Sequence, residues 1–212
     1  MSAKFISIEG IEGAGKTTAM GFIEKYLKAH HIEFISTREP GGTPMAEMLR
    51  QILLRPTVDE KMTEDTELLL MFASRSQHLS EVIWPALKKN KWVLCDRFVD
   101  ASYAYQGGGR QLLQKEISGL EKWITKGTQP DITILLDVSP EIGLARAKNR
   151  GSQDRIEQEL HDFFARVRQA YLVRAKQFPE RIKIIDASQS PEKVQFDIQK
   201  MLDVFMERQH VS

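Results

Sequence analysis

Short apolar runs bounded by loop residues alternate along the chain with longer stretches in which apolar side chains recur every three to four positions. The first pattern marks buried strands and the second amphipathic helices. Strands are predicted over Lys4–Glu9, Ile32–Thr37, Trp92–Cys95, Ile132–Val138 and Arg181–Ile185. The spacing of Phe22, Ile23, Tyr26 and Leu27 predicts a helix over Thr17–His30. Further helices are predicted over Pro44–Leu54, with Pro44 near the start, and over Glu64–Leu87, disturbed at Pro85. Leu112–Lys126, Pro140–Arg150, Arg155–Phe178 and Ser190–Glu207 complete the set. Ile132–Val138 is apolar on both faces, as a central buried strand should be. This βα alternation predicts an α/β fold: a doubly wound, five-stranded parallel sheet with helices on both faces.

Composition narrows the class. The 212 residues are 42% hydrophobic and show no compositional break, so one domain spanning 1–212 is expected. Thirty basic and 29 acidic side chains leave a net charge of +1, which argues against a polycationic nucleic-acid binder. No apolar run reaches the ~18–20 residues of a membrane span, and the N-terminus lacks a signal-peptide layout. A cytoplasmic protein without membrane or nucleic-acid partners is therefore expected. Cys95 is the single cysteine and reads as a small core residue. The five histidines lack metal-like spacing and read as mostly surface.

The sharpest chemical signal is Gly10-Ile11-Glu12-Gly13-Ala14-Gly15-Lys16-Thr17, between the first strand and the first helix. It fits the phosphate-binding loop G-x-x-x-x-G-K-[ST] in its required context. The glycines let successive N–H groups converge on one anion, and the helix N-terminus adds partial positive charge. Lys16 would reach the β- and γ-phosphates of a nucleotide, and the Thr17 hydroxyl would hold Mg²⁺. Glu12 would repel the nucleotide if it faced inward, so it is expected to turn away, where it could accept from a hydroxyl of a second substrate. Asp96 closes a strand and could hold Mg²⁺ through water, and Arg97 beside it offers a fork for phosphate.

More arginines follow. Arg38, in Thr37-Arg38-Glu39-Pro40-Gly41-Gly42-Thr43, and Arg50 could face the same crevice as Arg97, which suggests a second anionic substrate, although Arg50 taken alone fits a solvated helix face equally well. Arg146, Lys148, Arg150 and Arg155 surround Gly151-Ser152. The loop itself has no arginine, so this segment, near 148–156, is read as a mobile lid bringing a charge to the transferred group. Phe72 and Arg75 share a helix face, suited either to stacking on a base and bonding its carbonyl or to core and surface roles. Ser102, Tyr105 and Gln106 lie just after Asp96-Arg97 and suit a nucleobase and sugar, while Gly107-Gly108-Gly109 is compatible with no more than a flexible turn.

Ile8-Glu9-Gly10 with Glu12, Arg38–Thr43, Asp96-Arg97, Ala104–Arg110, Pro130-Asp131 before Leu136-Asp137, and Asp154-Arg155-Ile156-Glu157 run in one order across nearly the whole chain. In this the sequence resembles the thymidylate kinase family of nucleoside monophosphate kinases. The resemblance implies γ-phosphoryl transfer from ATP to dTMP with Mg²⁺, in dTTP supply, by a homodimer. It implies ATP contacts from Gly10 through Thr18 and from Arg146. It places Glu12 near the deoxyribose 3′-hydroxyl, Arg38, Arg97 and Arg50 near the dTMP phosphate, Arg75 at a thymine carbonyl, and Ser102 and Gln106 near the base edge. Tyr105 would disfavour a ribose 2′-hydroxyl. Arg150 in the lid would be the catalytic arginine, as in the bacterial branch, beside Lys16 and Arg97. One departure stands out: the family's base-stacking Phe lies four residues before Arg75, where this chain has Met71. Either Phe72 still stacks through a slight helix rotation, or the Met71 sulfur contacts the base. Another nucleoside monophosphate kinase or a deoxynucleoside kinase is the nearest alternative. A GTP-dependent switch lacks its guanine-reading aspartate here.

Overall fold

The computed structural model describes residues 2–55, 60–148 and 154–210. Five parallel strands form one sheet in the order β2-β3-β1-β4-β5, with β1 at Phe5–Glu9, β2 at Phe34–Arg38, β3 at Trp92–Asp96, β4 at Ile132–Asp137 and β5 at Ile182–Asp186. The expected fold class is the observed one. β1 holds the centre, and β4 lies between it and β5. Alternating side chains leave the sheet on opposite faces. Ile6, Ile8 and Leu94 pack with Ile23, Leu27, Phe164 and Ile198 on one side. Phe5, Val93 and Cys95 pack with Leu68, Phe72, Leu79 and Ile117 on the other. Register brings Arg38 beside Asp96 at the carboxyl edge of the sheet.

The helices follow local rules. α1 spans Lys16–Ala29, and its N-cap Gly15 sits in the left-handed region at φ 92°. α2, Pro44–Leu54, has the predicted bounds: Thr43 accepts from the Ala46 N–H and Pro44 fills the first turn. α3, Glu64–His78, is capped by Thr63 and carries three acids in its first turn. The expected disturbance of this helix falls earlier than Pro85: Leu79–Ile83 winds as a π-helical stretch, and Pro85 sits comfortably at the start of α4, Trp84–Lys88.

Residues 99–109 differ most from expectation. Val99–Ser102 forms α5, and Tyr103–Gly109 continues it as a π-helical stretch. Its glycines are not a flexible turn. A Cβ on Gly108 would lie 2.6 Å from Ala170 Cβ and 2.9 Å from the Arg166 carbonyl oxygen, and one on Gly109 would lie 2.4 Å from the Phe163 ring. The glycines let this segment press directly on α8, which spans His161–Gln177. Between β3 and β4 also lies α6, Gln114–Thr125, and α7 is Pro140–Lys148. The predicted helical start at Arg155 is instead a turn, closed by Asp154 Oδ1 accepting from the Ile156 and Glu157 N–H groups. α9 is Pro191–His210. No helix among the described residues is long and apolar enough to cross a membrane.

Candidate active site

At the carboxyl edge of the sheet a cavity of about 570 Å³ opens between the phosphate-binding loop, α2, α3, the glycine-rich π segment and the turn after residue 153. Its wall includes Glu12, Lys16, Thr17, Thr18, Arg50, Met71, Asp96, Arg97, Tyr105, Gln106, Arg146 and Arg155. A volume of this size suits small-molecule ligands.

The loop takes its shape from close approach. Gly13 has φ 71°, and a Cβ there would lie 1.9 Å from the Gly143 carbonyl oxygen of α7. The loop is therefore seated on the helix that carries Arg146. Arg146 is anchored by donating to the Ala187 carbonyl at 2.8 Å, and it also lines a second, smaller cavity with Gly13–Gly15, Thr18, Gln189 and Val194. Lys16 Nζ donates to the Gly10 and Ile11 carbonyls at 3.1 Å each. Burial, with the repulsion of Arg97 added, pushes its ammonium down to about 8.

Glu12 turns away from the loop interior, as its charge requires. It accepts from Arg97 Nη2 at 2.7 Å and from the Tyr105 hydroxyl at 2.7 Å. The Arg97 guanidinium also lies 4.6 Å from the Tyr105 ring centre. Burial alone would lower its pKa, but the Tyr105 and Glu12 oxygens around it outweigh this and hold it well above the ordinary value. The Arg97 backbone adopts φ 70°, an uncommon conformation for a residue with a Cβ. Two contacts brace it. Glu9, fully buried, accepts from the Phe98 N–H at 2.7 Å and from the Tyr171 hydroxyl at 2.7 Å. The Tyr171 oxygen in turn accepts from Arg97 Nη1 at 3.4 Å. Burial and nearby Asp100 raise the Glu9 carboxyl to about 7 against the pull of Tyr171 and Arg97.

Thr17 is exposed at the cavity, and among the described residues the buried Asp96 Oδ1 has no hydrogen-bond partner. A hydroxyl and an uncommitted carboxylate oxygen suit a hard cation that keeps most of its waters. No cluster of three or more His, Cys, Asp or Glu side chains that could cage a metal exists among the described residues.

Several expected contacts are arranged differently. Arg38 does not line the cavity. Its guanidinium donates twice to Glu47, at 2.9 Å to each oxygen, because Glu47 stands in the first turn of α2 directly opposite. Arg50 does line it and donates to the Pro40 carbonyl at 2.9 Å. Phe72 is a core residue, packed with Leu68, Leu79 and Val99, and Met71 takes its place on the cavity wall. Arg75 is buried and lies over the Phe72 ring at 4.6 Å. It donates to Glu39 at 2.7 Å, to Ser102 Oγ at 3.0 Å and to the Phe98 carbonyl at 3.1 Å. Neither Arg75 nor Ser102 lines the cavity. Arg150, and the part of the expected lid at 149–153, lie outside the described residues. Arg155 is bonded to the Leu53 carbonyl at 2.8 Å and to Glu67 at 2.7 Å.

The sequence reading missed Glu9, Glu39, Glu67, Tyr171 and His78. His78 is no surface residue: it is fully buried, donates from Nδ1 to Glu39 and meets Thr37 through Nε2 at 2.6 Å. Each of these residues works through partners tens of positions away, which no local pattern announces. Two signals were available: Glu9 and Glu39 lie in segments that carry the family resemblance, and Glu9 and Glu67 are charged residues at positions where periodicity calls for apolar ones.

A phosphate-binding loop facing a wall of arginines across one cavity defines a P-loop kinase with two anionic substrates. The sequence model of the thymidylate kinase family matches residues 8–198. Over 98% of its length the chain is 53% identical to the thymidylate kinase of Pseudomonas putida strain GB-1, covering 99% of that protein. It is 52% identical to that of Ruthia magnifica, over 95% of this chain and 98% of that one. A crystal structure of thymidylate kinase from Ehrlichia chaffeensis superposes with a TM-score of 0.79 at 30% identity, over 95% of this chain and all of the other. The chain belongs to the thymidylate kinase family.

Proposed function

We infer that the protein is an ATP-dependent nucleoside monophosphate kinase that phosphorylates dTMP, yielding dTDP and ADP for dTTP supply. Family membership over nearly the full length supports the substrate. The observation that carries the chemistry is the contact between Glu12 in the phosphate-binding loop and Arg97 after β3, which sets a donor-nucleotide loop against an acceptor-phosphate arginine in one cavity.

A phosphate oxygen of dTMP attacks the γ-phosphorus of ATP as the bond from that phosphorus to the β-bridging oxygen breaks, and ADP leaves with the electron pair. A monophosphate is already anionic, so no general base is needed and positioning carries the rate. On this reading the N–H groups of Gly10–Thr18 and the Lys16 ammonium hold the ATP phosphates, and Arg146 flanks the adenosine side. Arg97 and Arg50 hold the dTMP phosphate, joined by Arg38 once it leaves Glu47. Glu12 lies near the deoxyribose 3′-hydroxyl, and Tyr105 crowds the sugar where a ribose would carry its 2′-hydroxyl. Arg75 and Ser102, behind the wall, with Met71 and Gln106 on it, serve the base. Arg150 is assigned the catalytic charge of the lid. Thr17 and Asp96 would hold Mg²⁺, which when bound neutralises charge on the β- and γ-phosphates.

We further propose a cytoplasmic homodimer. Met45, Met48 and Ile52 stand exposed on α2 at helical spacing, with Leu69 exposed on the adjoining α3. The direct test of the reaction uses γ-labelled ATP. Label passes to dTDP when dTMP is present. Release as inorganic phosphate, with dTMP unconsumed, would contradict the assignment.

A further inference from the structure

Glu67 is an acid placed where a cavity for a nucleobase would be expected to have none. It lies on α3, and its side chain is 2% exposed. Its Oε1 accepts from Gln106 Nε2 at 2.8 Å. Its Oε2 accepts from Arg155 Nη2 at 2.7 Å and from Arg110 Nε at 3.2 Å, and Arg110 Nη2 forms an ion pair with it at 3.1 Å. Burial alone would raise this carboxyl. Arg110, the Gln106 amide and Arg155 outweigh it and hold the group below the usual carboxylate range.

An ionised carboxylate only accepts hydrogen bonds. Gln106 must therefore offer Glu67 its amino end, and the amide carbonyl is left as the opposite end. That carbonyl oxygen, Oε1, is buried without a hydrogen-bond partner among the described residues, on a side chain that lines the cavity. An unpaired buried acceptor costs about 1–3 kcal/mol, so a ligand that brings a donor to this oxygen is favoured. Pyrimidine bases differ at this point: thymine and uracil carry N–H at ring position 3, whereas cytosine presents a bare acceptor nitrogen there.

We propose that Glu67 is a positioning residue for base selection: by fixing the polarity of the Gln106 amide, it selects bases with N–H at ring position 3 and rejects cytosine. This rests on the dTMP reading above and deepens it. Arg155 and Arg110 hold the carboxylate in place, mainly through its other oxygen, so the turn at 154–157 takes part in the same lock. Without an acceptor-only neighbour, the amide can rotate by half a turn and offer its amino group to cytosine.

The test compares kcat/KM for dTMP and dCMP in Glu67→Gln and in the same substitution on a Gln106→Ala background. In the wild-type Gln106 background the ratio of dTMP to dCMP should narrow by about tenfold or more, through a higher KM for dTMP and a gain with dCMP. In the Gln106→Ala background the substitution should leave that variant's ratio unmoved. An unchanged ratio in Glu67→Gln, or the same narrowing without Gln106, overturns the proposal, since a purely structural loss would lower both substrates together. Should Glu67→Gln fail to fold, Glu67→Asp keeps the charge for both arginines while withdrawing it from Gln106. It should shift the ratio in the same direction, and no shift counts against the proposal. Wild-type protein that fails to prefer dTMP over dCMP would overturn the dTMP reading instead.

Discussion

Arg97 Nη2 donates to Glu12 Oε1 at 2.7 Å, so the residue that follows β3 is bonded to a carboxylate inside the phosphate-binding loop. On the proposed reading the two substrate positions are thereby built as one unit: a shift in either loop displaces the partner's charge. Arg97→Ala removes the acceptor-side cation but leaves the Gly10–Thr17 loop. It is expected to lower kcat/KM for dTMP on the order of 10²–10³, while a fluorescent ATP analogue still binds. Loss of ATP binding to the same extent would show that Arg97 serves the loop and not the acceptor.

Behind Arg97, Glu9 titrates near neutrality. The folded protein keeps its proton up to about pH 7, whereas the unfolded chain releases it near 4.5. Between these values the native state binds more protons, so this group makes stability fall as pH rises from about 4.5 to about 7 and then level off. The full loss is about 3 kcal/mol by the linkage relation. Glu9→Gln keeps an acceptor at this position and does not titrate. Urea denaturation at a series of pH values should show the variant gaining on the wild type between pH 5 and 7.5. Parallel curves would show that Glu9 is charged throughout.

Much of this architecture was legible in the chain because it follows from local rules. The bounds of α2 come from Thr43 and Pro44, and the phosphate-binding loop comes from glycines whose positive φ values have no other ready use. The 99–109 segment was illegible because its glycines answer to α8, sixty residues later. Arg75 and Phe72 share a face as spacing predicts, but spacing does not say which face. Packing turned it toward the core and gave the cavity Met71. The buried acids Glu9, Glu39 and Glu67 were missed for the same reason, since each is stabilised by arginines, tyrosines or amides from other elements.

That account of the glycines is testable. Gly108→Ala would set a methyl carbon 2.9 Å from the Arg166 carbonyl oxygen, a contact with backbone that has little room to move. Overpacking of this kind costs about 1–3 kcal/mol. Thermal denaturation should show a lower midpoint. A midpoint equal to that of the wild type would mean the segment is loose, as a flexible turn would be.

Arg150 carries the lid proposal. Arg150→Ala is expected to lower kcat on the order of 10³ with dTMP still bound, because a charge needed mainly in the transition state leaves ground-state affinity largely intact. Stopped assays for turnover, with calorimetry for dTMP, separate the two. Unaltered turnover would remove Arg150 from the chemistry.

The central claim is that this cavity passes a phosphoryl group between two nucleotides and chooses dTMP as the acceptor. Initial rates for dTMP, UMP, CMP and thymidine at one ATP concentration test it most directly. Consumption of dTMP far faster than any of the others is the predicted result, and equal rates across the panel would contradict it.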